Sequence, residues 1–350
     1  MIDRRQGLGF ITLVATLMLV PQARTAGTLD IYWIDVEGGA ATLVVSPNGE
    51  SLLYDAGWET DGRDARRIAA AVSAAGVKRI DYFVLSHYHA DHAGGLATLP
   101  KMVSIGRCFD RGDFIEPENQ HWRDLYMAAC GDRRTIVKPG DTIPLKGVPV
   151  EVIASDGHLI EKPVKGGGAA NPLCATAENH PRDVPENQLM VSALVTYGRF
   201  RFLDMADLDW EKEMELACPT NRLGNVTIWQ AGRHGALDGA GAPGFLNAIT
   251  PQVVIVNNGP HKGLGGPSPG FERARTNHYA RLMAIPGVED IWQGHRSLFD
   301  GSANAPDERI ANLEDTDQCQ GHWLKATVHP NGTFSIINGR TGSSKTYRAR

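Results

Sequence analysis

Three histidines and one aspartate lie within six residues of this 350-residue chain: His87, His89, Asp91 and His92. Residues 80–85, directly before them, are short, apolar and rich in β-branched and aromatic side chains, which predicts a buried strand. The side chains of His87 and His89 point the same way if the backbone stays extended. Imidazole and carboxylate ligands without a thiolate are typical of zinc, iron or manganese sites. The cluster therefore predicts a metal site at the end of a strand, where ligands bind in open α/β sheets.

The pattern His87-x-His89-x-Asp91-His92, followed by Gly94-Gly95, resembles the signature loop of the metallo-β-lactamase superfamily. Four further segments agree with that resemblance, the first two of them with its competence-protein (DNA-uptake) branch: residues 35–43, 53–57, 202–208 and 230–235. The resemblance covers about residues 29 to 295. It implies an α+β fold, a four-layer αββα sandwich, with a binuclear metal centre between the sheets.

The resemblance also implies two divalent ions, with zinc as the first expectation and manganese or iron as alternatives. The ligands it implies are His87 and His89 for the first ion, and Asp91, His92 and His234 for the second, with Asp207 bridging both. A water or hydroxide between the ions would be the nucleophile, since bound divalent ions lower the pKa of water. Asp91 and Asp207 are then the catalytic carboxylates, and Asp55 matches the aspartate that orients a ligand imidazole.

The chain departs from the family pattern at three places. The third ligand of the first ion, often a histidine, falls at Asn187, with His180 as the competing candidate. Ala206 stands where glycine usually precedes the bridging aspartate, and the change adds only a methyl group. Arg233 replaces the first histidine of a His-His-Gly motif, and an arginine there could bind an anionic group of the substrate.

Further substrate-binding candidates follow two later strand patterns. Asn258 and Lys262 lie in residues 257–263, which are expected on the same rim as the metal loops, although a plain glycine-rich turn fits that segment as well. His295 follows residues 291–293 and is a third candidate for contact with substrate.

The amino terminus predicts export. Residues 1–27 combine Arg4 and Arg5, an apolar run over 8–20 and a small-residue stretch, as in a secretory signal peptide. An uncleaved anchor is the alternative reading. The mature chain, residues 28–350, is then periplasmic or secreted and has no membrane association after signal cleavage. An exported protein can pair some of its five cysteines, and the odd number leaves at least one thiol out.

The remaining pattern provides the elements that must position these groups. Strands are predicted over residues 29–35, 41–46, 51–55, 148–154, 189–197, 200–204, 226–231, 253–257, 323–329 and 333–337. Helices are predicted over residues 63–75, 121–129, 210–216 and 244–249. Residues 162–185 are predicted to form a long surface loop. The whole of 28–350 is interpreted as one hydrolase domain with a C-terminal extension.

These observations favour a secreted metal-dependent hydrolase that acts on phosphodiesters in a nuclease-like reaction. A small-molecule or nucleotide-type anionic substrate is expected, and stable nucleic-acid binding is not, because the net charge is −5. Hydrolysis of lactones, β-lactams or other acyl compounds is the alternative for the same centre. A degenerate, non-catalytic metal-binding protein is another, because Asn187 and Arg233 replace histidines. Redox chemistry at a di-iron centre is a further alternative, but this sequence shows no flavin domain to accompany it. The oligomeric state stays open.

Overall fold

The computed structural model describes residues 27–113, 116–176, 185–265, 278–299 and 303–350. The predicted signal peptide, apart from Gly27, and His180 lie outside these ranges. Within them, no helix is both long and apolar enough to cross a membrane.

The described residues contain twenty strands and eight α-helices. The strands are β1 (Leu29–Ile34), β2 (Thr42–Val45), β3 (Ser51–Tyr54), β4 (Ile80–Val84), β5 (Ile105–Asp110), β6 (Arg134–Ile136), β7 (Thr142–Ile143), β8 (Val150–Ser155), β9 (His158–Leu159), β10 (Ala169–Ala170), β11 (Ser192–Tyr197), β12 (Phe200–Asp204), β13 (Thr220–Asn221), β14 (Ile228–Gln230), β15 (Val253–Val256), β16 (Asp290–His295), β17 (Ile310–Asn312), β18 (Trp323–Val328), β19 (Thr333–Asn338) and β20 (Ser344–Arg348). The helices are α1 (Arg63–Ala74), α2 (Ala90–Ala93), α3 (Gln120–Cys130), α4 (Pro185–Leu189), α5 (Trp210–Ala217), α6 (Gly232–Gly235), α7 (Pro243–Ile249) and α8 (His278–Met283).

The first sheet has the strand order β20-β19-β18-β1-β2-β3-β4-β5-β6. Its chain path is antiparallel from β20 to β3 and parallel from β3 to β6. The last three strands in sequence pair beside β1, so residues 323–348 are part of this sheet. The interpretation of the carboxyl terminus as an extension is therefore corrected.

Strand β1 shows how this sheet is buried on both faces. Leu29, Ile31 and Trp33 belong to the larger apolar core, which also contains residues of the second sheet. Tyr32 and Ile34 belong to a separate core formed with α1 and α3. Because successive side chains of a strand point to opposite faces, this alternation places the second sheet on one side and helices on the other.

The second sheet has the order β17-β16-β15-β14-β12-β11-β8-β7, with β9 paired to β8. It packs face to face on the first sheet, and Trp33 of β1 contacts Phe202 of β12 with ring centroids 5.4 Å apart. Residues of α5 and α7 pack into the same core. The order helix, sheet, sheet, helix confirms the predicted αββα sandwich, in which helices cover the outer face of each sheet.

Two disulfide bonds join Cys108 to Cys130 and Cys174 to Cys218. Cys319 is free, as expected for one cysteine when a chain has five. The predicted loop over 162–185 contains the short strand β10 and a 3-10 helix, Pro172–Thr176, and its residues 177–184 lie outside the described ranges.

Candidate metal centre

The site lies where strand ends of both sheets meet. In the first sheet β3 and β4 are parallel, and Asp55 and the residues from Ser86 onward follow their carboxyl ends. In the second sheet β12 and β14 are parallel, and Asp207 and His234 follow them by a few residues. Parallel strands end at the same edge, so residues far apart in sequence come together there.

Asp91, His92, Asp207 and His234 form one compact buried group. The Nε2 atom of His234 lies 3.0 Å from Asp91 Oδ2 and 3.4 Å from Asp207 Oδ2. The Nε2 atom of His92 lies 3.4 Å and 3.6 Å from the same two oxygens. Two carboxylates and two imidazoles thus direct ligand atoms at one point.

The charges in this group fit a bound cation. Burial would raise the pKa of Asp207, but His234 and His92 hold it well below its usual value. Without a metal, burial would lower the pKa of His92, but the carboxylates of Asp91, Asp55 and Asp207 raise it well above its usual value. The position between the carboxylates therefore stabilises positive charge, which a proton or a metal ion can supply.

The unpaired atoms fit a metal as well. The Nε2 atoms of His92 and His234 are buried and make no hydrogen bond of good geometry to the described residues, although carboxylate oxygens lie 3.0–3.6 Å away. Buried polar atoms normally have partners, and an imidazole nitrogen beside two carboxylates is a usual metal ligand. The donor set therefore fits a divalent ion such as zinc, manganese or iron.

Asp55 fixes the orientation of one of these ligands. Its carboxylate lies 2.7 Å from the Nδ1 atom of His92 and accepts hydrogen bonds from the backbone N–H and the hydroxyl of Ser86, at 2.8 Å and 2.7 Å. When Nδ1–H donates to Asp55, Nε2 is left with its lone pair toward Asp91 and Asp207. Asp55 thus has the position predicted for it.

His87 and His89 lie beside this group as a pair. The Nε2 atom of His87 is 2.9 Å from the Nδ1 atom of His89. Burial, together with His92 and His89, lowers the pKa of His87 well below its usual value and keeps it neutral, the form that binds metal. The Nε2 atom of His89 lies 3.4 Å from Glu116 Oε2, but among the described residues no third ligand-type side chain forms a compact group with both histidines. Asn187 is buried on α4 and lines the same cavity, so it remains the predicted third ligand.

The glycines of the motif allow the metal loop to pack on the loop after β3. A Cβ atom on Gly95 would lie 2.0 Å from the carbonyl oxygen of Ala56, and one on Gly94 would lie 2.3 Å from a backbone nitrogen. Larger residues would push the two loops apart, and the ligands would move with them.

Three residues in the metal-centre loops of the second sheet have left-handed backbone conformations. The φ angles are 47° at Ala206, 51° at Arg233 and 57° at His234. Glycine adopts such angles without penalty, whereas other residues rarely do. The family glycine at position 206 therefore has a conformational reason, and the expectation that alanine adds only a methyl group is corrected.

A cavity of about 800 Å³ opens above the ligands. Its side chains include two tryptophans, Trp58 and Trp122, and two cations, Arg233 and Lys262. Lys262 forms an ion pair with Asp91 and lies 4.7 Å from the ring centroid of Trp58. Six carboxylates line the cavity, two of them in the metal group: Glu37, Asp91, Glu116, Glu118, Asp207 and Asp315.

Residues 34–159 match the sequence model of the metallo-β-lactamase superfamily. This segment of the chain is therefore similar to that superfamily. It is 24% identical over 257 residues to Recombination protein 2 of Haemophilus influenzae, covering 73% of this chain and 27% of that protein. It is 25% identical over 274 residues to Competence protein ComA of Neisseria gonorrhoeae, covering 75% of this chain and 31% of that protein. The matches thus span less than a third of either relative, and they confirm the resemblance to the competence-protein branch.

The metallo-β-lactamase fold protein YhfI from Bacillus subtilis is a similar solved structure. It is 13% identical, the match covers 76% of this chain and 96% of that one, and the TM-score is 0.44. Members of this superfamily are generally metal-dependent hydrolases and typically bind divalent metals.

The structure places the four predicted substrate-binding residues in two kinds of position. Arg233 and Lys262 line the cavity. Asn258 and His295 are fully buried, and the Asn258 side chain donates to the His295 carbonyl oxygen at 2.8 Å. The substrate-binding prediction is therefore corrected for these two residues, since they hold backbone segments together beneath the rim.

Sequence reasoning missed the two tryptophans of the cavity. Trp58 directly follows residues 53–57, one of the segments that resemble the family, so its position next to the metal loop could have been predicted from the sequence. Trp122 reaches the cavity from α3, whose place in the fold is set by packing and by the disulfide of Cys130. No short motif marks it.

Proposed function

We propose that this protein is a metal-dependent hydrolase of small phosphodiesters. The observation that supports it is the group of Asp91, His92, Asp207 and His234 at the base of a cavity that also presents Lys262 and Arg233. When bound at this group, divalent ions activate water and polarise the oxygen atoms of the substrate.

The protein's own residues supply binding and orientation. Lys262 and Arg233 offer positive charge for the phosphate oxygens, and the planar guanidinium can donate two parallel hydrogen bonds. Burial lowers the pKa of Arg233 to about 10, while Asp91 opposes that shift, so it stays charged at neutral pH. Asp55 holds the proton on Nδ1 of His92, which leaves Nε2 free to act as a ligand.

The charge of the cavity argues for a small substrate. Six carboxylates face two cationic side chains, and two divalent ions would bring the lining close to neutral. A polynucleotide needs a basic surface that extends along several phosphates. A single phosphodiester group with an aromatic or apolar substituent fits better, because Trp58 and Trp122 can pack against that substituent.

An acyl hydrolase is the second candidate, and the same acidic lining favours it. A lactone or another acyl compound brings little charge into the cavity, so the rim carboxylates do not repel it. The metal group and the tryptophan walls serve this chemistry equally well.

Steady-state hydrolysis by zinc- or manganese-loaded protein separates the two candidates. The protein used lacks the predicted signal peptide, residues 1–27. The substrates are bis(para-nitrophenyl) phosphate, a γ-lactone and a chromogenic β-lactam. We expect turnover of the diester, loss of turnover in Asp207→Asn, and a raised KM in Lys262→Met. Turnover of the lactone or β-lactam alone would replace the proposal by the acyl alternative. Inactivity on all three with both ions bound would favour a non-catalytic metal-binding protein.

A further inference from the structure

A second cluster of ligand-type side chains lies outside the cavity. Asp35, His295 and Cys319 each present one ligand atom, and these atoms all lie within 4.8 Å of one another. Asp35 and His295 are buried, and Cys319 is partly exposed. None of the three lines the cavity or belongs to the metal group described above.

The fold brings the three residues from separate segments. Asp35 follows β1 of the first sheet, and His295 ends β16 of the second. Cys319 lies in the segment between β17 and β18, where its N–H donates to the Thr316 carbonyl oxygen at 2.9 Å. The cluster therefore joins both sheets to a connecting segment.

The carboxylate is only partly satisfied by its neighbours. Asp35 Oδ1 accepts a hydrogen bond from the Glu37 N–H at 2.9 Å. Asp35 Oδ2 is buried and accepts none from the described residues. Arg67 lies 3.9 Å from Oδ2, but its guanidinium already donates to Glu37 at 2.8 Å and to the Cys319 carbonyl oxygen at 2.9 Å. Arg67 Nη1 donates to the Asp35 backbone carbonyl oxygen at 3.1 Å, so the guanidinium supplies positive charge near Oδ2 but no hydrogen bond to it. A directly bound cation would fill that place.

The imidazole also has room for a cation. Its Nδ1 atom lies 3.1 Å from the Arg296 carbonyl oxygen, and its Nε2 atom lies 3.1 Å from the Glu314 carbonyl oxygen. Both nitrogens can donate to these oxygens only when the imidazole is protonated, so the position already stabilises one positive charge. A metal ion at Nε2, which lies 3.9 Å from Cys319 Sγ, would take the place of that proton.

We propose that Asp35, His295 and Cys319 bind a further metal ion, a thiophilic divalent cation of which zinc is the matching case. Thiolate, imidazole and carboxylate are the three protein ligand types that zinc accepts, and binding releases the thiol proton to solvent. A fourth position is open to the Glu314 carbonyl oxygen or to water. The site is separate from the proposed catalytic centre and does not depend on it.

The position of the site gives it a structural role. Glu37, two residues after Asp35, lines the cavity, and so does Asp315, four residues before Cys319. An ion held by Asp35 and Cys319 would fix both segments at the cavity rim. Occupancy is therefore expected to order this rim without taking part in hydrolysis.

Cobalt titration of the chelator-treated full chain tests the proposal. A cobalt–thiolate bond gives a charge-transfer absorption in the near ultraviolet, which imidazole and carboxylate ligands do not give. Since the other four cysteines form disulfides, such a band reports on Cys319. We expect the band in the natural chain and in Asp207→Asn, and its loss in Cys319→Ser and Asp35→Asn. Absence of the band in the natural chain with its disulfides intact would overturn the proposal.

A second measurement decides the matter if a variant does not fold. Alkylation of the natural chain by iodoacetamide, with and without zinc, follows the reactivity of Cys319 directly. Zinc should protect the thiol, and Asp207→Asn should keep that protection, since its lost ligand belongs to the other centre. An unchanged alkylation rate on addition of zinc would contradict metal binding at Cys319.

Discussion

Replacement of Asp55 by asparagine tests how the metal centre is held together. Asp55 is fully buried and accepts three hydrogen bonds, two from Ser86 and one from His92 Nδ1. An asparagine has one acceptor oxygen, and its NH₂ group would have to face either the serine hydroxyl or His92. If it faces Nδ1, the imidazole proton moves to Nε2, the atom that points at Asp91 and Asp207.

The expected loss follows from that change of tautomer. Removal of a partner that orients a metal-bound histidine reduces metal affinity by about 10- to 100-fold. This corresponds to roughly 1.4–2.7 kcal/mol, at about 1.4 kcal/mol for each factor of ten. Competition titrations with a chelator measure the affinity, and urea unfolding of the metal-free protein measures the free energy of unfolding separately.

Asp290→Asn is the matched control. Asp290 is also a buried carboxylate, and it accepts a hydrogen bond from the Tyr347 hydroxyl at 2.7 Å, but it lies at the start of β16 and not at the cavity. Both substitutions should destabilise the metal-free protein, and only Asp55→Asn should weaken metal binding beyond that. Equal losses of metal affinity in the two variants would refute the orienting role of Asp55.

Three further predictions concern the rim, the metal loop and the core. Lys262→Met should raise metal affinity by about tenfold, since it removes a positive charge beside Asp91; a lower affinity in chelator competition would contradict this. Gly95→Ala should lower the free energy of unfolding by about 1–3 kcal/mol or more, because its Cβ would meet a backbone oxygen at 2.0 Å. Gly294→Ala, whose Cβ would have 3.5 Å to its nearest neighbour, is the control and should change little in the same urea titration. Burial raises the pKa of Glu213 well above its usual value, although two backbone N–H groups oppose the shift. A carboxyl whose pKa is raised by folding stabilises the fold most at low pH and loses that contribution as pH rises through the folded-state value. Glu213→Gln should therefore reduce the fall in unfolding free energy of metal-free protein between about pH 5 and pH 8, and identical pH profiles would disprove it.

The metal loop shows what sequence can predict. His87 to His92 follow a buried strand within a few residues, so local pattern alone placed them at its end. Asp207 and His234 were recognisable only through the family motifs, because their approach to the loop depends on the packing of two sheets. The strands of the opening meander were likewise readable from the turn residues between them, and the helix from Arg63 from the glycine that follows it.

The misplaced residues show where local pattern fails. Asn258 and His295 follow strands at the correct edge, yet both side chains lie in the interior, where they bind backbone atoms. Sequence gives the edge of the sheet but not whether a loop covers a side chain. The left-handed φ angle of Ala206 and the position of Trp122 in the cavity also result from tertiary packing. A short stretch of sequence carries no information about such packing.

Strand β1 pairs with one neighbour that is close in sequence and one that is almost at the other end of the described residues. β1 lies inside the first sheet between β2 and β18, and Leu29 is the register partner of Val328. Contacts this distant in sequence slow folding, because closing such a long loop costs conformational entropy before the pairing stabilises the chain. During synthesis one edge of β1 therefore remains open until residues 323–328 emerge, and an open strand edge is prone to pair with other chains. Nascent chains of this protein are accordingly expected to depend on protection from aggregation until their last three strands are made.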